Sequence, residues 1–463
     1  MNRPLRLLLP LALTIFALLI PATTVQAGTV QANTVHTNAR DAKTKTSIKH
    51  FLFLLQGDRS FDNYFGTYPG ADGLANATCQ RQAGGKSATC VKPFPLHGQS
   101  VQPLGATPSV LANQYDGGKL DGFVSALQSV GRDGTKAMGY YDQRDLPAYW
   151  RAAQQYVLFD RFFSATMDGV RSNRSYWVAA TDAPGQPVTI FDRLQAAGIS
   201  WKFYVQHYRP VTGPLTGSQT ASNTQSAAVP LLNYQRFTTD PALRSHIVDL
   251  GEYYQDLQRG TLPAVAYFAT SGSSERSARS ISEGQSLVTS LTGQLMLSEF
   301  WSSSAFLLSY DGTGGFYDHV VPPRVDSHGL GLRVPALLIS SYAKHGVIDP
   351  TPLDYTSALS FIEYNWGVAP LATRDRQAGS LLSAFEFHAA PRQPELITNG
   401  SPPPLRAKLR STGIVYIAYG CSMALVLATV GFAFLRSRIR RPATPPVTSG
   451  ESITALRIGA DSR

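Results

Sequence analysis

The chain has 463 residues, of which 43% are hydrophobic and 16% are charged, and its formal net charge is +10. This composition excludes an intrinsically disordered protein, because such chains combine few apolar residues with a high charge density. The positive charge does not indicate nucleic-acid binding. Residues 1–27 carry +2 and residues 406–463 carry +7, whereas residues 28–405 hold 30 basic and 29 acidic residues, a balance of +1.

The N-terminus has the pattern of an export signal. Arg3 and Arg6 precede an uncharged, mostly apolar run at 7–20, and small residues follow at the end of 1–27. The alternative is a membrane anchor, but the run is shorter than the roughly 20 residues that a bilayer requires. The sequence therefore predicts a cleaved signal peptide at 1–27 and, from its polar composition, a flexible leader at 28–47.

The region 48–395 is predicted to be one large α/β domain. Short apolar runs alternate with windows whose apolar residues recur near every 3.6 positions, which is typical of a mostly parallel sheet covered on both faces. Strands are expected at 51–55, 201–205, 265–269, 305–310 and 336–340, and helices at 147–156, 190–197, 287–301 and 356–366. In such sheets ligands bind beyond the carboxyl ends of the strands. The segments after residues 55, 269 and 310 are therefore the places where a site is expected.

The cysteines agree with export. Cys79 and Cys90 are separated by ten residues rich in Gly, Ala and Gln, and a disulfide between them is predicted for a protein outside the cytoplasm. A metal site is the weaker alternative, because no second pair of ligands accompanies them. Cys421 is interpreted as a small apolar residue in lipid.

The C-terminus is predicted to cross a membrane once. A Pro-containing linker at 396–412 precedes 23 uncharged residues at 413–435, a length that spans a hydrocarbon core of about 30 Å. Four arginines open the tail at 436–463, and such residues accumulate on the cytoplasmic side of a span. The predicted localisation is the cell membrane, with the domain extracellular and the tail cytoplasmic. A buried core helix is the alternative, and the missing polar face argues against it.

Two segments carry a resemblance to a known family. They are residues 56–66, QGDRSFDNYFG, and residues 310–320, YDGTGGFYDHV, followed by two prolines. They resemble motifs of the bacterial phosphoesterase family that contains non-haemolytic phospholipases C and certain acid phosphatases. Further motifs in the same order extend the resemblance from about residue 48 to about 390. It implies an alkaline-phosphatase-like α/β/α sandwich around a mostly parallel sheet.

The resemblance also implies a mechanism, and this chain departs from it. In the family, acidic residues hold a metal ion that activates a Thr or Ser hydroxyl for attack on phosphorus, and histidines assist. Here the nucleophile position is Val170, which has no hydroxyl. Gly57 and Gly312 stand where the family has metal ligands. Arg276 and Tyr355 stand where the family has histidines. Neighbouring motif residues match the family, which indicates a kept scaffold with altered chemistry.

The remaining polar groups define the candidate site. Asp58 and Asp311 are the predicted metal ligands. Two monodentate carboxylates would form a weak site for Mg²⁺ or Ca²⁺ and a poor site for Zn²⁺. Arg276 is predicted to bind a phosphate oxygen, and so is Arg59, for which an ion pair with Asp62 is the alternative.

Three other residues with reactive side chains are predicted to have structural roles. Thr166 and Ser172 flank the nucleophile position but are displaced from it. His319 is retained, with Asp318 as the neighbour that orients it, and a structural hydrogen bond is favoured for that pair.

Two functions follow from these residues. The favoured one is a membrane-anchored binding protein of phosphoesterase lineage, impaired in catalysis or a pseudoenzyme, whose partner is a phosphate-containing small molecule or lipid head group. The alternative is an active hydrolase of phosphoric esters that uses a rearranged site with a divalent metal of unknown identity. No nucleic-acid partner is predicted, and the oligomeric state is left open.

Overall fold

The computed structural model describes residues 43–83, 90–98, 101–210, 224–271, 273–276 and 281–398. The predicted signal peptide, most of the leader and linker, the predicted span at 413–435 and the tail lie outside these residues. Within the described part of the chain, no helix is both long enough and apolar enough to cross a membrane.

An eight-stranded sheet forms the centre of the domain. Its strands are β1 (His50–Gln56), β2 (Val157–Phe159), β3 (Trp201–Val205), β4 (Ile247–Asp249), β5 (Val265–Ala269), β6 (Ser304–Tyr310), β7 (Ala336–Ser340) and β8 (Val347–Asp349). Their order across the sheet is β8-β2-β7-β6-β1-β5-β3-β4. Only β7 runs against its neighbours, so the sheet is mostly parallel, as predicted.

The central strands are buried on both faces. Every residue of β1, β5, β6 and β7 is buried, although successive side chains point to opposite sides of a sheet. Layers of chain must therefore cover both faces, which is why these strands have continuous apolar sequences instead of alternating ones.

Helices occupy much of the remaining described chain. They are α1 (Phe61–Phe65), α2 (Pro108–Tyr115), α3 (Phe123–Ser129), α4 (Pro147–Gln155), α5 (Val170–Ala179), α6 (Ile190–Ala196), α7 (Thr224–Ala228), α8 (Gln235–Thr239), α9 (Pro241–Arg244), α10 (Gly251–Arg259), α11 (Ile281–Leu297), α12 (Tyr355–Trp366) and α13 (Thr373–Arg376). Local sequence explains several boundaries. Asp354 accepts a hydrogen bond from the Thr356 N–H at the start of α12, and Gly367 ends that helix with φ 70°.

The predicted elements are largely confirmed. All five predicted strands form, and four of the predicted helical windows correspond to α4, α6, α11 and α12. The third window was wrong at both ends, because α11 begins six residues earlier, at Ile281, and ends at Leu297. The strands that the sequence missed, β2, β4 and β8, have three residues each, too few to display a period.

The predicted disulfide is confirmed. Cys79 and Cys90 are bonded, and their Cα atoms are 5.5 Å apart. Next to this bond, Gln80–Arg81 pairs with Cys90–Val91 in a short antiparallel ladder. The disulfide therefore joins the chain at the two paired strands of this ladder.

Candidate functional site

Three parallel strands end together at one edge of the sheet. β1 lies between β5 and β6, with Leu55 beside Ala269 and Gln56 beside Tyr310. The Asp311 N–H donates to the Gln56 carbonyl over 2.9 Å, which aligns the segment after β6 with the end of β1. The expectation that the three following segments meet at this edge is confirmed.

A pocket of about 230 Å³ opens at this edge. Asp58 from the segment after β1, Gly312 from the segment after β6 and Arg276 from the segment after β5 line it, together with Val170 at the start of α5. Four motifs that are far apart in the sequence thus contribute to one cavity.

Helix α5 forms one wall of the pocket. It begins after Gly169, whose φ of 92° suits glycine, and no side chain caps its first N–H groups. Val170, Asn173 and Arg174 lie on one face because residues three and four apart are neighbours on a helix. Asn173 accepts from the Thr166 N–H over 2.9 Å and donates to the Asp311 carbonyl over 3.0 Å. These bonds fix α5 against the segment after β6.

Two arginines bind the two predicted metal ligands. Arg276 donates from Nη1 to Asp58 over 2.8 Å and from Nη2 to Oδ2 of Asp311 over 2.7 Å. Arg174 donates from Nε to the same Asp311 oxygen over 2.8 Å, and its Nη2 lies 2.7 Å from that oxygen. Asp311 is fully buried, so all its compensating charge comes from these guanidinium groups. Arg276 thus links the two carboxylates directly.

The pair Asp58 and Asp311 does not fit a metal ion in this arrangement. Oδ2 of Asp311 is surrounded by arginine nitrogens, and Oδ1 accepts a long hydrogen bond of 3.4 Å from the Asp58 N–H. A divalent cation would have to displace Arg276 and would be repelled by Arg174. Burial raises the pKa of the Asp58 carboxyl to about 6, while Arg276 opposes the rise and Asp311 adds to it.

The positions predicted to depart from the family motifs lie in the pocket lining or next to it. Val170 and Gly312 line the pocket, and a Cβ atom on Gly312 would be 4.0 Å from Val170, an ordinary contact. A Cβ atom on Gly57 would be 2.9 Å from the Cβ of Arg276 and 2.8 Å from Ser274 Oγ. The chain around Arg276 therefore fills the space that a larger residue at 57 would need.

Tyr355 takes a structural role beneath the same edge. Its side chain is fully buried, and its hydroxyl donates to the Tyr310 carbonyl over 2.5 Å. Burial raises the pKa of this phenol well above its usual value, and the charge of Asp311 adds to that rise. Tyr355 is therefore held as a neutral donor to the end of β6.

Arg59 lies behind the pocket and is only 2% exposed. Its Nε donates to the Tyr64 hydroxyl over 2.9 Å and its Nη1 to the Asp58 carbonyl over 2.8 Å. Tyr64 in turn donates to buried Glu275, which also accepts hydrogen bonds from Tyr149 and Tyr310. The structure thus ties Arg59 to the backbone of Asp58 and leaves it outside the pocket lining.

His319 belongs to a separate buried ionic cluster. Its Nδ1 is 2.7 Å from Asp62 and its Nε2 is 3.1 Å from Asp72, so its ring contacts these two carboxylates and not Asp318. Arg333 is fully buried between Asp318, at 2.8 Å, and Asp62, at 3.1 Å. The structural hydrogen bond that the sequence favoured between His319 and Asp318 is formed with other partners: His319 bonds Asp62, and Asp318 accepts from Arg333. The neighbouring acids outweigh burial and raise the pKa of His319.

Two groups in the described chain have three metal-type ligand atoms close together. One is Asp62, Asp318 and His319, and the other is His97, Asp142 and Asp145. Both already contain an arginine: Arg333 bonds the first, and Arg144 donates to Asp142 in the second. The chain therefore has candidate metal-binding groups, and Asp58 with Asp311 is not one of these triplets.

Sequence reasoning missed Arg174 as a site residue. No local pattern pairs it with Asp311, 137 positions away. The only available signal was helical spacing, because Arg174 follows Val170 by four residues.

A family match covers the chain segments that form this pocket. The model of the Phosphoesterase family matches residues 48–369, most of the chain and all of the segments that form the pocket. The chain belongs to the Phosphoesterase family. Its members are typically metal-dependent.

Several relatives of this phosphoesterase-family chain are phospholipases C. Phospholipase C A of Mycobacterium tuberculosis is 28% identical over 416 residues, which cover 75% of this chain and 78% of that protein. Non-hemolytic phospholipase C of Pseudomonas aeruginosa is 26% identical, over 73% of this chain and 57% of its own.

Similar solved structures include a protein of the alkaline phosphatase superfamily from Vibrio parahaemolyticus, with 14% identity, 73% of each chain covered and a TM-score of 0.34. Another is phosphonate monoester hydrolase of Agrobacterium radiobacter, with 10% identity, 73% of this chain and 77% of that chain covered and a TM-score of 0.36. The family assignment rests on the sequence match.

Proposed function

We propose that this chain is an exported, membrane-anchored member of the Phosphoesterase family whose pocket binds a phosphate-type anion and no longer hydrolyses phosphoric esters with a metal ion. One observation carries the proposal: Arg276 donates to both Asp58 and Asp311. A guanidinium group occupies the place between the two acids, and a guanidinium attracts anions instead of activating a nucleophile.

The pocket also offers no free hydroxyl at the nucleophile position. Val170 presents methyl groups there, so no covalent phosphoenzyme can form on it. The nearby hydroxyl of Thr166 donates to Asp168 over 2.7 Å, and that of Ser172 donates to Asp182. Both hydroxyls are already hydrogen-bonded to carboxylates, and covalent catalysis would require their reorientation.

The same groups suit an anion. The Arg276 side chain is 37% exposed, and its N–H groups that do not bond Asp58 or Asp311 have no partner among the described residues. The uncapped start of α5 also lines the pocket through Val170 and adds backbone N–H groups, and the N-terminus of a helix favours negative charge. A tetrahedral anion in the pocket would thus meet donors from two chain segments.

The location at a membrane rests on the sequence. The signal pattern at 1–27, the uncharged run at 413–435 and the arginines that follow it support an extracellular domain with a cytoplasmic tail. The Cys79–Cys90 disulfide agrees with an oxidising compartment.

Titration with inorganic phosphate tests the proposed binding. The full-length chain, purified in a mild detergent, should bind phosphate equally well with and without EDTA. Arg276→Lys should weaken the phosphate affinity by about tenfold, because lysine keeps the positive charge but lacks the bidentate donor geometry of a guanidinium. Arg376→Gln, at an exposed arginine that lines neither this pocket nor the adjacent groove, is the matched control. Absence of phosphate binding, or binding that requires a divalent ion, would contradict the proposal.

A further inference from the structure

A larger groove adjoins the pocket. Its volume is about 640 Å³, and it shares Pro103, Val170 and Arg276 with the pocket lining. Val170 and Arg276 therefore stand between a small cavity that fits a phosphate-sized group and a larger one beside it. An ester bound through its phosphate in the pocket would direct its organic part into this groove.

The charged side chains that line the groove are all basic. Arg171, Arg174 and Arg276 line it, whereas the described lining contains no carboxylate. The two neighbouring chain segments that the structure does not describe, 211–223 and 277–280, contain no acidic residue in the sequence. The groove is thus electropositive and cannot acquire a compensating acid from those segments.

Aromatic side chains are equally missing from the described lining. Quaternary ammonium groups are recognised by aromatic rings or by acids, and the groove offers neither. Its walls instead combine small apolar surfaces, such as Ala227 and Pro230, with the hydroxyl oxygens of Ser175 and Ser271, which donate to backbone carbonyls and can still accept hydrogen bonds. Such walls suit the C–H faces and hydroxyl groups of a polyol or sugar.

We infer, on the basis of the proposed anion-binding function, that the ligand is a phosphate ester of a hydroxylated group that is neutral or negatively charged, and not of a choline-like cation. Arg171 is the residue that determines this specificity. It is exposed at the second position of α5, and its guanidinium has no partner among the described residues. Arg174 and Arg276 are already bonded to Asp311, so Arg171 supplies the uncompensated charge of the groove.

Competition between small esters tests this inference. The full-length chain in detergent is titrated with inorganic phosphate, myo-inositol 1-phosphate and phosphocholine. The inositol ester should bind at least about tenfold more tightly than phosphocholine, which like-charge repulsion disfavours. Arg171→Gln should reduce this ratio to about threefold or less while inorganic phosphate affinity stays within about twofold. Arg376→Gln should leave the ratio unchanged.

The outcomes separate this inference from the proposed function. Phosphocholine binding as tightly as the inositol ester, with inorganic phosphate also bound, would overturn the inference and leave the anion site intact. No binding of any of the three ligands would overturn both. Phosphatidylcholine vesicles with and without phosphatidylinositol provide the second source of the same head group. Tighter binding to the inositol-containing vesicles than to the free ester identifies a lipid source, and the reverse identifies a soluble one.

Discussion

Replacing Arg276 with methionine is expected to make the stability of this protein depend on divalent cations. The change leaves Asp58 without its partner and removes one of the two guanidinium groups on Asp311. Unfolding free energy in EDTA at pH 8 should fall by about 2–4 kcal/mol, somewhat below the range for fully buried pairs because Arg276 is partly exposed. Millimolar Mg²⁺ or Ca²⁺ should recover part of this loss, since an ion that binds only the folded state stabilises it, while Arg174 at Asp311 limits the cation's affinity.

The loss should also depend on pH. Arg276 lowers the pKa of Asp58 against burial, so its removal raises that pKa further above about 6. A proton then neutralises Asp58 in acid, and the variant should be less impaired at pH 5 than at pH 8. Denaturant unfolding at the two pH values, with and without cations, measures both effects.

Arg259→Met is the matched control for this experiment. Arg259 also contacts two carboxylates, Glu252 and Asp256, but it is 52% exposed. Its replacement should leave the unfolding free energy nearly unchanged and create no response to cations. If the unfolding free energy of Arg276→Met also did not respond to cations, the idea that the Arg276 guanidinium occupies the place of a cation between Asp58 and Asp311 would be wrong.

Replacing Arg333 with methionine should have the largest effect on folding. Arg333 is fully buried, pairs with Asp62 and Asp318, and donates to the carbonyls of Asp72 and Asp160. Its loss leaves two buried acids and two carbonyls without that donor, and should cost about 3–5 kcal/mol or prevent folding. Thermal or denaturant unfolding of the purified variant measures the loss.

Arg161→Met provides the comparison within the same cluster. Arg161 pairs with Asp72 at 2.8 Å but is 41% exposed, so its replacement should cost less than about 1 kcal/mol. If Arg333→Met lowered the unfolding free energy as little as Arg161→Met, the view that this cluster stabilises the scaffold would be contradicted.

The parallel sheet was predictable because burial on both faces leaves a strong signal in sequence. β1 and β6 are uninterrupted apolar or aromatic runs for most of their length, and such runs followed by Gly- and Asp-containing turns indicate buried strands. The parallel arrangement then places the segments after β1, β5 and β6 at one edge. β4 and β8 could not be predicted in this way, because three residues with exposed or half-buried members show no distinctive pattern.

Three residues of the site were predictable, but their bonding and the fourth residue, Arg174, were not. The family motifs identified Asp58, Asp311 and Arg276, and the structure brings all three together. Sequence alone did not reveal that Arg276 bonds both acids, because its partners lie 218 and 35 positions away. The burial of Arg59 was equally hidden, since it depends on Tyr64 and Phe316 packing over its guanidinium.

The most direct test of the account is a hydrolysis assay on the full-length chain. p-Nitrophenyl phosphate and p-nitrophenyl phosphorylcholine are supplied with Mg²⁺, Ca²⁺, Mn²⁺ or Zn²⁺, and each rate is compared with those of Asp311→Asn and Asp58→Asn. We predict that the native protein turns over neither substrate faster than these two variants, because Arg276 occupies the space between the acids and Val170 has no hydroxyl. Metal-dependent turnover that either variant abolishes would contradict the account.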